Sequence, residues 1–347
     1  MLSKKNLLNN LPLILIILLA SVLRLWQLGN VPISFSDDEM RLIYNGFSIS
    51  QTGNDVYGNF LPSVFKMDGA NTFGQVPIYL ESMFFLLFPL GSFVARLPFA
   101  LSGIFSVVLI YLLVKKLFNN NKLALLSSFV LSVCVWDLQL TRFAIETDIA
   151  MFFYLLGVCA FLYSDKSIKL FLLSMLFFFL GFYSYAAYKI TLIPILGVLA
   201  WYKFGNLTKR HFLIILTAIL LAFGSFWYLS VTQNAASYSA AGGNFFFFQD
   251  KQTTSEKVEL ERRASNEPSF IEPIYHNKFT YWTRIFATNY LTTFSPQYLF
   301  LDQEASGIYS IWGRGEFYLF ELPLVLIGAV YLFLKKRREF YLVLGLL

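Results

Sequence analysis

The chain has 347 residues, of which 57% are hydrophobic and only 14% are charged. A soluble domain is about 45–50% apolar and about 25% charged, so this composition excludes a disordered chain, a collagen and a small disulfide scaffold. It indicates a membrane protein with several spans. Cys134 and Cys159 both lie in apolar runs, which argues against a disulfide framework or a cysteine zinc site. Membrane topology explains the net charge of +6 without nucleic acid.

Several apolar runs approach the length of about 20 residues that a membrane crossing needs. The N-terminal run follows Lys4 and Lys5 like a signal peptide, but no small-residue cleavage site comes after it, so we interpret it as an uncleaved span. A last run begins at 340 and is cut by the end of the chain, from which we expect a fragment of a longer protein. The other runs are 11–29, 97–114, 123–140, 149–163, 170–187, 190–202, 212–231 and 317–334.

Charge decides which of two short runs, 77–90 and 190–202, crosses the membrane. If 190–202 crosses and 77–90 lies flat, 14 of the 27 basic residues share one side with only Asp165 and Glu339. The positive-inside rule makes that side cytoplasmic. The basic residues are Lys4, Lys5, Lys115, Lys116, Lys122, Lys166, Lys169, Lys203, Lys209, Arg210, Lys335, Lys336, Arg337 and Arg338. The opposite, extracytoplasmic face then receives residues 30–96, 141–148, 184–189 and 233–316.

Three carboxylates, Asp37, Asp38 and Glu39, come directly after the first span on that face. A carboxylate is a natural general base for a hydroxyl nucleophile. Arg41 lies three positions after Asp38, where a helix would let it pair with an anion on the same side. The same residues also fit a solvated helix start, with Ser36 as the N-cap and acids in the first turn. The two interpretations are compatible.

A second charged segment is the turn 141–148, which contains Arg142 and Asp148. Charges this close to hydrocarbon usually face the bundle interior or a cavity, so we expect both side chains to face the cavity of Asp38. The alternative is an Arg142–Glu146 pair that only caps the turn.

The next turn on this face contains Tyr185 and Lys189. Lys189 is a candidate phosphate ligand, although its side chain could equally reach the lipid headgroups. Tyrosines at such positions are also typical of the interfacial aromatic belt. Asp148 with Asp38 or Glu39 could hold a divalent ion through oxygen ligands, so the need for a metal stays open. There is no glycine-rich phosphate loop that would support ATP-driven chemistry.

Taken in order, several segments resemble the integral-membrane glycosyltransferases of the GT-C fold. The similarity is to the bacterial branch that resembles protein O-mannosyltransferases and the lipid A aminoarabinose transferase, and it extends from about residue 11 to 334. It implies an all-α polytopic bundle with juxtamembrane helices in the outer loop 30–96. The segments that carry it are Asp38–Arg41, Gly74–Tyr79, Ala95–Pro98, Arg142–Asp148 and Asn289–Leu301.

The resemblance implies roles for the residues of the outer face. Asp38 and Glu39 match the acidic pair of the active site, and Arg41 matches an arginine that faces the lipid phosphate in the aminoarabinose branch. Asp148 matches a second acid after the third span. The predicted site has Asp38 and Glu39 as catalytic residues, with Arg41, Asp148, Arg142, Tyr185 and Lys189 binding substrate.

The resemblance further implies an inverting glycosyltransferase of the cell membrane, with a cytoplasmic N-terminus. The donor would be a polyprenyl-phosphate sugar, and the acceptor a hydroxyl of a protein, lipid or glycan. A transporter or lipid-linked sugar flippase is the alternative, because intramembrane Arg and Asp are equally expected there. A scaffold whose acids merely cap helices is a third hypothesis. We predict a catalytic module over 1–232, an extracytoplasmic loop over 233–316 and further spans over 317–347.

Overall fold

The computed structural model describes residues 4–66, 72–232, 251–265, 270–301 and 314–347. The all-α fold class is confirmed, since helices dominate and, among the described residues, only one antiparallel pair of two-residue strands interrupts them, β1 (Phe65–Lys66) and β2 (Thr72–Phe73). The helices are α1 (Lys4–Leu25), α2 (Asp37–Thr52), α3 (Gln75–Leu87), α4 (Ser92–Phe118), α5 (Asn121–Val133), α6 (Val135–Leu140), α7 (Glu146–Tyr163), α8 (Ile168–Phe182), α9 (Tyr188–Tyr202), α10 (Lys209–Thr232), α11 (Lys251–Ala264), α12 (Glu272–Tyr275), α13 (Lys278–Thr293), α14 (Glu321–Lys335) and α15 (Arg337–Leu346).

Within the described residues, three helical stretches have the length and apolar composition of a membrane crossing: Ser92–Phe118, Glu146–Lys166 and Lys209–Thr232. Shorter apolar helices include α5, α8 and α9. Residues 233–250, 266–269 and 302–313 of the predicted outer loop lie outside the described residues, and the proposed division into three parts stays a prediction. The described part of that loop contains α11, α12 and α13.

One predicted span, 123–140, is broken rather than continuous. Cys134 is extended (φ −60°, ψ 123°) and separates α5 from α6. The break frees carbonyl groups that hydrocarbon cannot satisfy. Arg24 of α1 supplies the missing donors, with its guanidinium 3.2 Å from the Ser132 oxygen and 3.4 Å from the Leu131 oxygen. The same guanidinium forms a fully buried ion pair with Asp137 of α6.

The centre of the bundle is α7, which lies between α4 and α8. Gly157 allows a close crossing, because a Cβ there would lie 2.9 Å from ring atoms of Phe178 on α8. Tyr154 and Phe178 meet edge to face, with ring centroids 5.4 Å apart. Close packing at Gly157 fixes how α7 crosses α8, and so where the two ends of α7 lie.

The contacts group the connecting loops at two ends, in the way the charge pattern predicts. At one end the turn after α6 reaches the end of α1, and the segment before α3 touches the turn between α8 and α9. At the other end Lys116, Asp165 and Lys203 form ion pairs that join α4, the turn after α7 and the end of α9. The candidate functional residues lie at the first end.

Candidate active site

A capping box begins α2 and sets the orientation of the three carboxylates. The Ser36 hydroxyl accepts from the Glu39 amide at 3.2 Å, and the Glu39 carboxylate accepts from the Ser36 amide at 3.0 Å. Asp37 and Asp38 lie in the first turn with exposed side chains. The helix-start interpretation is therefore confirmed, and it leaves Asp38 accessible near the positive end of the helix dipole.

Glu39 has a different environment from its neighbour Asp38. Its side chain is fully buried, and the Arg96 Nε lies 3.1 Å from its Oε1. The same oxygen accepts from the Ala144 amide at 2.9 Å. Both carboxylate oxygens thus have protein partners, so Glu39 holds α2, α4 and the turn after α6 together. It offers no exposed oxygen to a substrate.

Arg41 lies beside Asp38 on the open side of α2. Its Nε is 2.9 Å from the Asp37 carboxylate, and its side chain is 31% exposed. This exposed pair is weak, since such ion pairs contribute about 0–1 kcal/mol. Loss of the pair with Asp37 would therefore cost little free energy if a stronger anion attracted the Arg41 guanidinium.

Arg142 contacts backbone at the end of α1. Its Nη1 donates to the Leu23 oxygen at 2.8 Å, and its Nη2 donates to the Trp26 oxygen at 3.0 Å and the Val31 oxygen at 2.8 Å. The Leu23 carbonyl lacks a helical partner at the end of α1, so Arg142 acts as a C-terminal cap there and also bonds two carbonyls of the following loop. A contact between Arg142 and substrate stays a prediction.

Asp148 lies deeper in the bundle than Asp38. It is fully buried on α7 and accepts a hydrogen bond from the Ser102 hydroxyl of α4. Its strongest charge interactions are with Asp137 and Arg24. Asp148 therefore belongs to the polar cluster around Arg24, at the same end of the bundle as α2, and its charge also acts on Tyr188.

Glu146 is the acid that the sequence interpretation missed. It accepts a hydrogen bond from the Gly74 amide, and it interacts with the charges of Lys189 and Asp38. Its place in the charged turn was a usable signal, but the sequence offered for it only the alternative of an Arg142–Glu146 pair. The structure uses both partners of that pair elsewhere.

Tyr185 lies in the same charged environment as Glu146 and Asp38. Burial raises the pKa of its phenol, and the negative charges of Glu146 and Asp38 raise it further, while a hydrogen bond with Thr147 lowers it. Lys189 lies nearby, with its Nζ 4.8 Å from the ring centroid of Phe226 on α10. Asp38, Glu146, Tyr185 and Lys189 thus form one electrostatic cluster, which we call the rim cluster.

Gly74 fixes the two sides of the rim cluster together. A Cβ at this position would overlap the Ser184 carbonyl oxygen, so only glycine allows this approach. The Val76 amide next to it donates to the Tyr183 oxygen at 3.3 Å. Glu146 lies at this approach, since its carboxylate accepts from the Gly74 amide and interacts with the charge of Lys189.

Comparisons with known proteins agree with this architecture. Residues 75–228 match the model of the dolichyl-phosphate-mannose-protein mannosyltransferase family. Three solved structures of the oligosaccharyltransferase of Archaeoglobus fulgidus are similar in fold. One, in complex with an inhibitory peptide and a dolichol-phosphate, has a TM-score of 0.56 at 15% identity over 98% of this chain and 46% of the other. The fold is that of the GT-C membrane glycosyltransferases.

The other two structures lead to the same GT-C assignment. The apo form has a TM-score of 0.55 at 14% identity over 100% of this chain and 47% of the other. The complex with zinc and sulfate has a TM-score of 0.54 at 15% identity over 96% and 47%. The chain thus spans about half the length of these structures. No curated protein is similar enough to this sequence to count as a match.

Two further features concern the end of the bundle that carries the rim cluster. Among the described residues, no three His, Cys, Asp or Glu side chains gather as metal ligands would, so a divalent ion on Asp38 and Asp148 gains no support. An apolar groove of about 510 Å³ runs along the end of α1, lined by Val22, Trp26 and Arg142 among others. Its lining suits a hydrocarbon chain.

Proposed function

We propose that this chain carries the catalytic end of an inverting glycosyltransferase, which moves a sugar from a polyprenyl phosphate to a hydroxyl acceptor at the extracytoplasmic face. The observation that carries the proposal is the rim cluster in a GT-C fold, which contains an exposed carboxylate, Asp38, and a cation, Lys189, with Arg41 three positions after Asp38 on α2. The match to mannosyltransferases supports sugar transfer. A dolichol-phosphate bound to a protein of this fold supports a lipid-linked donor.

Asp38 is the general base in this proposal. It takes the proton of the acceptor hydroxyl while the hydroxyl oxygen attacks the anomeric carbon. The bond between that carbon and the phosphate oxygen breaks, and the polyprenyl phosphate leaves with the electron pair. A single displacement of this kind inverts the anomeric centre.

Two cations stabilise the leaving phosphate. Arg41 presents a partly exposed guanidinium three positions after Asp38, and it pairs with Asp37 at the surface. Lys189 is the cation of the rim cluster, and Glu146 acts as its counter-charge and as a positioning residue. Groups aimed at developing charge usually contribute most to such reactions. Glu39, Arg142 and Asp148 have structural roles in this assignment, which revises the roles that the resemblance implied.

The variant Asp38→Asn tests the proposal. It keeps size and polarity but removes the base, so transfer should fall by about 10²–10⁴-fold. The measurement is release of free lipid phosphate from a radiolabelled polyprenyl-phosphate sugar in membranes that contain the full chain. The matched control is Asp37→Asn, an exposed neighbour of Asp38, which should keep activity within a few fold.

Unchanged release by Asp38→Asn would remove this residue from the mechanism. Movement of the labelled lipid across the bilayer without any release would indicate a flippase instead. Equal losses in Asp37→Asn and Asp38→Asn would show that the charge of the α2 N-terminus matters, rather than a specific base.

A further inference from the structure

A polar cavity lies at the end of the bundle opposite the rim cluster. Its volume is about 190 Å³, far more than the about 10–15 Å³ that one water needs. The end of α4, the turn after α7, the end of α9 and the start of α15 form its walls. Its polar lining consists of Lys116, Asp165, Tyr202, Lys203, Asn206 and Arg338.

The cavity is held in shape by buried and partly buried ion pairs. Asp165 is shared by two amines, each 2.6 Å from one of its oxygens: Lys116 and Lys203. Lys203 is buried and also donates to the Phe161 oxygen at 3.0 Å. Burial of a charge with several partners fixes its position, so this wall is preorganised.

Arg338 closes the cavity from α15. Its guanidinium donates to the Tyr202 carbonyl oxygen and lies 4.8 Å from the Tyr202 ring centroid. A guanidinium carries five donors, and this contact uses one terminal nitrogen. The remaining donors are available on an exposed side chain that lies over the mouth of the cavity.

The charges of the cavity do not balance. Three cations line it against one carboxylate, Asp165. Glu339 is the other acid that acts on Tyr202. Lys335, Lys336 and Arg337 precede Arg338 directly in the chain and add further positive charge. The lining therefore favours a small anion with several acceptor oxygens.

We propose that this cavity binds a phosphate group, either in the headgroup of an anionic lipid or as free phosphate. Guanidinium and ammonium groups bind phosphate oxygens through short, charge-assisted hydrogen bonds. Basic pockets between helices near a membrane surface are suited to anionic headgroups. The proposal is independent of the proposed function, since none of its residues belongs to the rim cluster.

The test measures the thermal stability of the full chain in neutral detergent, with three additives in separate arms. These are short-chain phosphatidylglycerol, short-chain phosphatidylcholine and inorganic phosphate. We expect phosphatidylglycerol to raise the melting temperature saturably and phosphatidylcholine to leave it unchanged. A rise with inorganic phosphate as well would assign the site to free phosphate, whereas a rise with phosphatidylglycerol alone would assign it to a lipid.

The double variant Lys116→Ala/Arg338→Ala should weaken the binding about thirtyfold, from about fivefold for each cation. The matched control is Lys122→Ala/Lys209→Ala, which removes the same charge from the same end but outside the cavity lining. It should keep the affinity within about threefold. If the double variant does not fold, Arg338→Gln alone serves as the test. It should fold because the side chain is exposed, and it should lower the affinity about fivefold.

Three results would overturn the proposal. The first is no stabilisation by phosphatidylglycerol or by phosphate. The second is equal stabilisation by phosphatidylglycerol and phosphatidylcholine. The third is the same loss of affinity in the control variant, since that would show diffuse attraction to a basic surface rather than a site.

Discussion

Two adjacent carboxylates, Asp38 and Glu39, have opposite environments because the first turn of a helix points successive side chains in different directions. Asp38 is exposed, whereas Glu39 is fully buried against Arg96. A buried carboxylate with a cation and two amide donors stabilises packing, and an exposed carboxylate is available to accept a proton. Asp38 and Glu39 therefore have different roles, although the sequence motif presents them as one acidic pair.

Glu39→Gln should destabilise the protein much more than Asp38→Asn does. It leaves the Arg96 guanidinium buried without a counter-charge, which costs about 3–5 kcal/mol of unfolding free energy. Asp38→Asn changes a surface group and should stay within about 0.5 kcal/mol. Unfolding titrations in detergent measure both values. A stable Glu39→Gln protein that has lost transfer activity would return Glu39 to the catalytic pair.

The sequence alone predicts the helix cap of α2 and the accessible acid in it, because both depend on residues within one turn. It does not predict the partner of Glu39, since Arg96 lies 57 positions later. Glu146 escaped for the same reason, because its partner Gly74 is 72 positions away. Local spacing favoured a pair with Arg142, and the long-range contacts replaced it.

Among the elements, the break between α5 and α6 shows how an interrupted helix is tolerated within the bundle. Arg24 bonds two carbonyls next to the break and pairs with Asp137 immediately after it. The apolar pattern of 123–140 predicts one continuous span, because hydropathy does not register a single extended residue. Arg24 and Asp137 indicate the break only when they are considered together, because neither residue alone reveals its partner.

A double-mutant cycle should reveal this dependence. Arg24→Leu leaves Asp137 buried and unpaired, which should lower the unfolding free energy by about 3–5 kcal/mol. The double variant Arg24→Leu/Asp137→Leu should recover most of the loss but remain about 1–3 kcal/mol below the natural protein, because carbonyls next to Cys134 lose a donor. Detergent unfolding of the four proteins gives the coupling. Additive losses would show that the pair contributes no mutual stabilisation.

The whole molecule has two chemically distinct ends, and the charge pattern of the sequence predicts which loops share each end. The contacts of Arg142, Glu146 and Gly74 gather at one end, and those of Lys116, Asp165 and Arg338 at the other. This prediction of loop grouping succeeded because it counts the basic residues of each loop and requires no knowledge of long-range contacts. Which end faces the cytoplasm stays a prediction from the positive-inside rule.

Cysteine labelling in intact cells tests that orientation. The chain has two cysteines, Cys134 and Cys159, and both are buried. Replacing both with alanine gives a background without thiols. Ile33→Cys, at a side chain that is 97% exposed beside the rim cluster, should react with a membrane-impermeant maleimide from outside. Lys122→Cys should react only after permeabilisation. The reverse pattern would place the rim cluster in the cytoplasm and would exclude an extracytoplasmic transferase.

The ion pair of Arg24 with Asp137 also has a consequence for biogenesis. The two residues are 113 positions apart, so at about 5–20 residues per second Asp137 leaves the ribosome roughly 6–23 s after Arg24. During that interval α1 carries a cation that has no counter-charge in hydrocarbon. We therefore expect the insertion machinery to retain α1 until α6 has been synthesised, and nascent chains that end before residue 137 to remain bound to it.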